Sequence, residues 1–489
     1  MKYIYIYILC IILYKSNSQI RFNTNIPIGT DTIVDMGNKV IELNNQQFLS
    51  CGISIGYMIN YTASYLVKTT SNGDLIWKKQ YDFSTGNYDS FTDLLQLPDS
   101  NYLLIGTTTN TTTGDYDVFL TKIDTSGSII WYKQYLHTDY DQGAELKLTP
   151  DGKVIIVGRA ESVGVYNDVL LIKTDLNGNL IWRKRFGNTY DEIYNSIEII
   201  KNNTEYLLGG RYGYSISGTD YYDMSLMRTD TAGNIIWQQQ YGTVGGNEYG
   251  GIAINTLDSG IAICGIYNDV ATVLKVNKAG VVQWNKNYGL PNNSFMRQII
   301  QLPDSSYAMI ASGIYASTNS LTGYLLKADK SGNLLWQRVY PGPMTIPNYF
   351  FGFNTTADKG FIITGQYNHI GQPFQNMWLV KTDSLGCDSV TCSYLTGIAE
   401  GEGVNFLFKI YPNPNMGNFI LKMDDTKIKS ESLIITINDL LGQHVYLKNI
   451  KANLVSEINL NIEDLAKGIY IVNLYDANLL LGQTKLIIE

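Results

Sequence analysis

The chain has 489 residues, of which 45% are hydrophobic and only 16% are charged, a composition typical of globular rather than disordered proteins. A chain of this length exceeds one ordinary hydrophobic core, so we expect at least two folded units. The formal net charge of −8 argues against a nucleic-acid binder that works through a basic surface. None of the five cysteines has the spacing of a zinc site.

Residues 1–18 have the pattern of a secretory signal peptide. Lys2 supplies a short basic region, Tyr3–Tyr14 form an apolar stretch, and Ser16–Ser18 bring small residues before Gln19. The apolar stretch is shorter than the roughly 20 residues that a membrane-spanning helix needs. We therefore expect a secreted protein without a transmembrane segment. A lipoprotein anchored through Cys10 is the alternative, which the short apolar lead-in does not favour.

Residues 19–386 contain a repeat of about fifty residues. Its first mark is a tryptophan four residues after a glycine, and these six tryptophans are Trp77, Trp131, Trp182, Trp237, Trp284 and Trp336. Its second mark is a basic residue before that glycine, and it occurs seven times, at Lys68, Lys122, Lys173, Arg228, Lys275, Lys327 and Lys381. A fixed period of this length indicates a repeat architecture.

Each repeat divides into four short strands separated by turn residues. In the third repeat the predicted strands are Ala144–Leu148, Val154–Gly158, Val169–Thr174 and Leu180–Phe186. Four strands per repeat, arranged radially, predict a β-propeller. The seventh repeat lacks its fourth strand, and Ile20–Asn25 has the pattern of the missing one. We therefore predict an all-β protein with a seven-bladed β-propeller that is closed by the N-terminal strand.

Three recurring residue types have structural explanations in this repeat. We expect the six tryptophans to fill the gaps between neighbouring blades, because one indole can bury about 150–250 Å2. The second strand of each repeat ends in glycine, as at Gly106 and Gly158, which allows a bulge or a close backbone approach. Aspartates in the last hairpin, such as Asp124 and Asp175, are predicted to form turns rather than to bind calcium.

The run Asp-x-x-Gly-x-x-x-Trp resembles the repeats of quinoprotein-like propellers and, more loosely, the Asp-boxes of sialidases. Its spacing between aspartate and glycine differs from each of them by one residue. The resemblance implies blade packing and carries no cofactor and no catalytic residue with it.

After Gly386 the repeat stops, and residues 387–405 are predicted to be a linker. Cys387 and Cys392 lie in it and are a candidate disulfide in an oxidising compartment. Cys51 and Cys264 are predicted to be free and buried in strands. Residues 406–489 show alternating short strands that predict a small C-terminal β-sandwich.

Four runs in this last segment are Tyr411–Pro414, Ile437–Gln443, Leu465–Tyr470 and Thr484–Glu489. They resemble the type A C-terminal sorting domain of type IX secretion substrates of Bacteroidota. The resemblance implies that the type IX machinery recognises residues 406–489 and exports the protein. It also implies that the sorting domain is removed and that the cargo is released or held at the outer cell surface.

The loops after the second and fourth strands are longer and more variable than the others, and we expect them to lie on one rim. Variable loops on one face of a repeat protein often form its binding face. We call the following residues of this face the long-loop rim: Tyr88, Asp89, Tyr140, Asp141, Tyr190, Asp191, Glu248 and Tyr249. Tyrosine offers rigid contact area with a hydroxyl group, so we expect a carbohydrate or a surface protein to bind there. The other interpretation is that these tyrosines pack the loop bases.

A binding role is favoured over catalysis, but two other classes stay open. One is a polysaccharide-acting or quinone-dependent enzyme that uses two carboxylates among Asp89, Asp141, Asp191 and Glu248. The other is a passive surface or adhesion component. Ser54 lies in a Gly-x-Ser-x-Gly run, but that motif needs a strand-to-helix turn, whereas here the repeat explains the glycines. No metal, cofactor or catalytic residue is predicted.

Overall fold

In the computed structural model, strands and turns make up the part of the chain that is described. The described residues are 19–28, 32–56, 62–138, 140–161, 166–200, 204–268, 270–290, 294–315, 320–340, 347–368, 374–389, 408–423, 432–438, 444–451, 457–462, 465–476 and 479–489. Within these ranges there is no apolar helix of membrane-spanning length. The predicted signal peptide and most of the predicted linker lie outside them.

Among the described residues, the N-terminal part consists of five antiparallel sheets of four strands and one eight-stranded sheet, in which a single parallel bridge joins two meanders of four strands. We number these seven four-stranded units as sheets I to VII. Sheet I contains β2 Thr32–Glu42, β3 Phe48–Gly56, β4 Thr62–Thr69 and β5 Leu75–Tyr81; sheet II contains β6 Asp89–Gln96, β7 Tyr102–Thr109, β8 Tyr116–Ile123 and β9 Ile129–Gln134; sheet III contains β10 Tyr140–Leu148, β11 Val154–Glu161, β12 Asn167–Thr174 and β13 Leu180–Phe186; sheet IV contains β14 Glu192–Ile199, β15 Glu205–Ile216, β16 Thr219–Asp230 and β17 Ile235–Tyr241. Sheet V contains β18 Tyr249–Asn255, β19 Ile261–Tyr267, β20 Val270–Val276 and β21 Val282–Asn287; sheet VI contains β22 Phe295–Gln301, β23 Tyr307–Tyr315, β24 Ser320–Ala328 and β25 Leu334–Tyr340; sheet VII contains β26 Tyr349–Thr355, β27 Phe361–Asn368, β28 Gln375–Thr382 and, from the N-terminus, β1 Phe22–Ile26.

The strand predictions for the third repeat agree with sheet III. The second, third and fourth strands are found where turn residues and apolar runs placed them, and β13 has the predicted bounds. The first strand, β10, begins four residues earlier than predicted, at Tyr140. Its opening residues Tyr140–Gly143 lack an apolar alternation, and they pair with β11. Strand pairing therefore overrides local preference at this end.

The N-terminal strand β1 pairs with β28 of sheet VII, antiparallel and in a defined register. Phe22 lies opposite Lys381, just as Trp77 lies opposite Lys68 in sheet I. A tryptophan lies opposite the recurring basic residue in sheets II to VI as well. In register, β1 thus occupies the position of a fourth strand, although it starts at Phe22 and not at the predicted Ile20.

Buried apolar clusters lie between consecutive sheets. Between sheets III and IV, for example, Ile155 and Val157 pack with Tyr194 and Tyr206. Equivalent clusters join sheets I and II, II and III, IV and V, V and VI, and VI and VII. A further cluster joins sheet VII to sheet I, with Ile362 and Leu379 packed on Val40 and Phe48. One Val34–Gln375 bridge also connects β2 with β28.

The first strand of every sheet carries a β-bulge near its middle, close to the recurring glycine of the second strand. The prediction that the second strand ends in this glycine is wrong, because pairing with both neighbours continues beyond it, as in β11 Val154–Glu161. In sheet III the bulge falls between Gly143 and Glu145, and Gly158 lies opposite Gly143. A Cβ added to Gly158 would lie 2.0 Å from the carbonyl oxygen of Gln142. The predicted close backbone approach at the recurring glycine is therefore confirmed.

The hairpin between the third and fourth strands is held by its aspartate. In sheet II, Asp124 Oδ1 accepts hydrogen bonds from the backbone N–H groups of Ser126 and Ser128, and Gly127 follows with a positive φ of 83°. Asp175, in sheet III, makes the equivalent pair of bonds. The prediction that these aspartates form turns is confirmed.

The C-terminal module consists of two antiparallel sheets around one apolar core. Its strands are β29 Phe408–Tyr411, β30 Asn418–Met423, β31 Ser432–Asn438, β32 His444–Lys451, β33 Glu457–Asn461, β34 Gly468–Asp476 and β35 Leu479–Ile488. One sheet has the order β29-β30-β33 and the other β32-β31-β34-β35. Phe419, Leu433, Val472 and Leu486 are buried between them.

Candidate functional site

Each recurring tryptophan lies at the contact between one sheet and the next. A Cβ added to Gly178 of sheet III would lie 2.8 Å from the ring of Trp131 of sheet II. In the same way, the turn glycine after the third strand of one sheet approaches the tryptophan of the preceding sheet at Trp77, Trp182, Trp284 and Trp336. Gly280 differs, because it approaches Gln239 and Tyr241 instead of Trp237. Trp336 is buried, whereas the other five indoles are half-buried. Phe22 of β1 lies against Gly73 of sheet I, in the position that an indole has elsewhere.

A tyrosine that sequence reasoning missed completes this contact. Tyr135, four residues after Trp131, donates a hydrogen bond to the carbonyl oxygen of Gly178 at 3.0 Å. Tyr81, Tyr241 and Tyr340 do the same for the glycine carbonyl of the following sheet. The signal was present in the sequence as an aromatic residue four positions after the tryptophan.

The recurring basic residue has a partner that was also missed. Its side chain reaches the acid in the turn between the first and second strands of its own sheet, as in Lys122–Asp99 at 2.6 Å and Lys381–Asp358 at 2.9 Å. The same pairing occurs for Lys173, Arg228, Lys275 and Lys327. The recurrence of Pro-Asp turns at a constant distance from the basic residue could have predicted it.

The carboxylate of Asp89, a predicted rim residue, is buried and holds a loop. It accepts hydrogen bonds from the backbone N–H groups of Phe83 and Ser84 and from the hydroxyl of Thr108. Burial raises the pKa of Asp89, and these bonds oppose the rise. Asp35 in sheet I does the same for Ile28, the second residue after β1. The hydroxyl of Ser54 donates to Asp35 and is buried in β3.

The other three rim acids are also bonded within the protein. Asp141 is fully buried and accepts from Arg183 at 2.8 Å. Asp191 is half-buried and accepts from the backbone of Asn167. Glu248 is fully buried, and its Oε1 accepts from Thr243. The four acids of the long-loop rim thus face inward or bind loop backbone.

The rim tyrosines are half-buried and pair with tyrosines of neighbouring strands. Tyr88, Tyr116 and Tyr140 form a row across sheets II and III, with ring centroids 5.1 and 5.6 Å apart. Tyr190 pairs with Tyr166, and Tyr249 pairs with Tyr222. These contacts preorganise the rings, and each ring keeps part of its surface in solvent.

A cavity of about 380 Å3 lies beside Tyr249, among the inner strands of sheets III to VI. It is lined by the residues that follow the recurring glycine in β11 and β15, Arg159 and Arg211, and by Arg297 at the bulge of β22. We call it the arginine cavity. Sequence reasoning missed all three arginines: Arg159 and Arg211 share the position after the recurring glycine, but Arg297 has a different position in its repeat.

Two of these guanidinium groups are held between aromatic rings. Arg211 lies 4.7 Å from the ring centroid of Tyr222 and 5.3 Å from that of Tyr249. Arg297 lies 4.3 Å from Phe295 and 5.4 Å from Phe351. Burial lowers the pKa of Arg297 to about 10, which leaves it charged at neutral pH.

A second cavity, of about 320 Å3, is lined by charges of both signs. Lys147 contacts Glu145 at 3.1 Å and Glu198 at 3.0 Å. Lys39, which also lines it, contacts Asp93 at 3.1 Å. Burial disfavours the charge on Lys147, but the two glutamates raise its pKa above the ordinary value. The charges in this cavity are therefore paired within the protein.

A pair of carboxylates lies next to the rim in sheets IV and V. A Cβ on Gly242 would meet Asp223 Oδ1 at 2.0 Å and Glu248 Oε2 at 2.9 Å, so both oxygens face this glycine. Neither oxygen has a hydrogen-bond partner among the described residues. Burial and the charge of Glu248 raise the pKa of Asp223 to about 6. Of the four acids considered for a catalytic pair, only Glu248 belongs to this one.

The cysteines fall into two groups. Cys51 and Cys264 are free and buried, as predicted, and burial raises the pKa of both thiols. Cys387 is buried and disulfide-bonded. Its predicted partner Cys392 lies outside the described residues, so that pairing stays a prediction.

Residues 409–489 match the family of secretion system C-terminal sorting domains. The chain thus carries the sorting domain of a type IX secretion substrate, which indicates export to the cell surface or the extracellular space. A comparison with curated protein sequences gives no match.

Solved structures with a similar fold include three that illustrate its range. PorZ, an essential bacterial surface component of the type-IX secretion system of Porphyromonas gingivalis, is 10% identical, with a TM-score of 0.43 over 95% of this chain and 60% of PorZ. An ulvan lyase bound to -[GlcA(1-4)Rha3S]- is 10% identical, with a TM-score of 0.50 over 75% of this chain and 96% of the lyase. The β-propeller domain of the Trilobed protease from Pyrococcus furiosus is 9% identical, with a TM-score of 0.41 over 74% of this chain and 99% of that domain.

This chain therefore spans less than two thirds of the length of PorZ. The identities are all far below the level at which function is shared, so these likenesses concern the fold. The sorting domain and the repeated four-stranded units define a type IX secretion substrate with a β-propeller-like fold.

Proposed function

We propose that the chain is an exported, seven-bladed propeller that binds a carbohydrate or a surface protein through its long-loop rim. In this proposal residues 1–18 are the signal peptide, 19–386 the propeller, 387–405 the linker and 406–489 the sorting module. The rim presents half-buried tyrosines, one of which, Tyr249, also lines the arginine cavity, and this single observation carries the binding role. A concave site with aromatic walls and a few fixed polar groups is the usual form of a ligand pocket.

The proposed closure of the ring is supported by the contacts of β1 and of sheet VII. Phe22 lies opposite Lys381 and against Gly73, which is the arrangement of five of the six recurring tryptophans. Ser50 of sheet I and Thr364 of sheet VII share a buried hydrogen bond of 3.2 Å. A ring closed in this way leaves no inner sheet edge open to another chain.

The binding proposal is tested with the mature full-length chain on a glycan array and in pull-downs from cell envelopes. Tyr140, Tyr190 and Tyr249 are replaced by alanine one at a time, and Ile236→Ala, which changes an exposed apolar residue on the fourth strand of sheet IV, is the control. We expect each rim variant to lose binding, because each ring supplies contact area, while the control binds like the wild type. Binding that survives all three rim substitutions would contradict the proposal. Self-association without ligand binding would favour a passive surface component instead.

An enzymatic role is the second candidate, and the Asp223–Glu248 pair favours it. Burial and the charge of Glu248 raise the pKa of Asp223 to about 6, and a carboxyl group with a raised pKa beside a second carboxyl group is an arrangement that acid–base catalysis uses. If the chain cleaves polysaccharides, Asp223→Asn and Glu248→Gln will abolish the release of new sugar ends while binding persists. If both variants release sugar ends as fast as the wild type does, this candidate function is excluded.

A further inference from the structure

We propose that the arginine cavity binds the oxyanion of an acidic sugar residue, a uronate carboxylate or a sugar sulfate. The inference deepens the proposed function and rests on it, because it names the class of glycan that the long-loop rim would recognise. The charged side chains that line the cavity are positive. Arg159, Arg211 and Arg297 line it, and no aspartate or glutamate does.

This excess of positive charge is local and goes against the charge of the whole chain, which is −8. Arg297 forms no ion pair among the described residues, and Arg159 donates only to the neutral amide of Gln142. Arg211 has one acid nearby, Asp191, at 3.6 Å. In the second cavity, by contrast, Lys39 and Lys147 are neutralised by three carboxylates. Three partly buried cations with a single carboxylate among them leave an excess of positive charge, which is costly unless an anion joins it.

The guanidinium groups are held in place before any ligand arrives. Each of the guanidinium groups of Arg211 and Arg297 lies near two aromatic rings. A cation is attracted to the face of an aromatic ring, so these contacts hold both groups in position. The Nε atoms of both arginines are buried and have no hydrogen-bond partner in the described part of the chain. A carboxylate or sulfate can accept two parallel N–H bonds from such a planar fork.

The floor of the cavity leaves room for a sugar ring. It contains Gly250, Gly251 and Gly265, which project no side chain into it. The bulge in β18 skips two residues, Gly251 and Ile252, whereas the other first strands skip one between paired residues. These two residues are left out of the register with β19, and the Gly251 carbonyl accepts a hydrogen bond from the hydroxyl of Ser196 at 3.4 Å.

The lining combines two aromatic residues, Tyr249 and Phe295, with the three guanidinium groups. A sugar presents an apolar C–H face and hydroxyl edges on one small ring, and a single acidic residue fits a volume of about 380 Å3. An extended acidic peptide would instead require a groove or an open strand edge. We therefore assign the cavity to an acidic glycan residue.

The test uses isothermal titration of the mature full-length chain with three oligosaccharides of equal length. One carries uronates, one carries sulfates, and one is neutral; inorganic sulfate and an acidic peptide are added as separate probes. We expect binding of the uronate or the sulfated oligomer, which identifies the oxyanion, and about tenfold or more weaker binding of the neutral one. Affinity should fall as salt rises, because the attraction between charges is screened.

Arg297→Gln and Arg211→Gln are the variants, and Lys286→Gln is the control, which removes an equal charge from the outer strand β21. We expect each cavity variant to weaken binding of the acidic oligomer by about ten- to a hundredfold, and the control to leave it unchanged. Arg297→Lys should recover only part of the loss, because lysine keeps the charge but not the planar fork. Unfolding midpoints of all variants establish that they are folded.

The outcomes separate this inference from the function on which it rests. Equal affinity for neutral and acidic oligomers, or acidic binding that is insensitive to both arginine variants, overturns the inference while glycan binding stands. Binding of the acidic peptide or of inorganic sulfate alone also overturns it. If no glycan binds and the rim tyrosines have no effect on any partner, the proposed function itself fails.

Discussion

At the scale of single residues, a buried polar side chain near the start of the first strand recurs from sheet to sheet. Asp35 and Asp89 hold the backbone of the loop before their strand, and Asn348 accepts from the backbone of Asn368. Glu192 and Glu248 occupy the corresponding places in sheets IV and V and are buried too. These positions determine how the long loops sit, and thereby the shape of the rim.

The close approach at the recurring glycine gives the first prediction. Gly158→Ala should destabilise the protein by about 2 kcal/mol or more, because the new Cβ would overlap the carbonyl oxygen of Gln142. Gly152→Ala is the control, since that glycine has a positive φ of 70° but open space around it. It should cost only about 1 kcal/mol. Urea unfolding measures both, and a loss for Gly158→Ala no larger than that for Gly152→Ala would mean that crowding does not explain the recurring glycine.

Glu192 gives a prediction about pH. Burial raises its pKa to about 7, helped by the charge of Asp168 and opposed by a hydrogen bond from Gln238. The folded protein therefore holds this proton more tightly than the unfolded chain does. Its contribution to stability is complete below the unfolded pKa of 4.5 and is lost as the pH rises towards 7.

Glu192→Gln keeps the shape of the side chain without ionising. We expect it to stabilise the fold by about 1–3 kcal/mol at pH 8, and to have little effect at pH 4. Glu161→Gln, on the neighbouring sheet, is the control. Thermal unfolding across this pH range is the measurement, and a pH-independent difference would show that charge is not the cause.

At the scale of elements, β1 contributes to the contact between sheets VII and I. Ile26 and Ile28 are buried in the cluster that joins these sheets, and Phe22 packs at its edge. Arg21 forms an ion pair with Asp383 at 2.7 Å. The side-chain oxygen of Gln19 accepts a hydrogen bond from the backbone N–H of Ser384, in the turn after β28. The strand is therefore fixed by pairing, by packing and by side chains at its start.

Phe22 gives a prediction for this element. Phe22→Ala should lower the free energy of unfolding by about 2–4 kcal/mol, because the ring fills the space over Gly73. Phe22→Trp should stay within about 1 kcal/mol of the wild type, since tryptophan occupies the corresponding place in six other sheets. Denaturant unfolding distinguishes them. An alanine variant as stable as the wild type would mean that β1 is not needed to close the ring.

At the scale of the whole molecule, export and binding are assigned to different parts of the chain. The sorting family covers residues 409–489, while the arginine cavity and the rim lie in sheets II to VI. In cells with type IX secretion, a chain that ends before residue 406 should accumulate in the periplasm. Full-length Arg297→Gln should be exported like the wild type. Fractionation with an antibody measures both, and surface display of the truncated chain would contradict the assignment.

Much of the local structure could be predicted because turns and strand periodicity are local properties. Asp124 and Gly127 predict their hairpin from four consecutive residues, and the predicted bounds of β13 agree with the structure at both ends. The sorting module was recognisable from short runs, since its turns and core strands are close in sequence. The start of β10 was missed because its pairing, and not its own composition, makes it a strand.

The sequence alone determined the repeat, the order of strands, the N-terminal strand that completes the last sheet, and the export route. Only the tertiary structure decided which side chains face the cavity. The side chains of Asp89, Asp141 and Glu248 are buried and accept hydrogen bonds from loop backbone or from neighbouring side chains. The tertiary structure also brought together Arg159, Arg211 and Arg297 from three sheets. The physical reason is that side-chain direction depends on bulges and on the packing of one sheet against the next, which no spacing along the chain records.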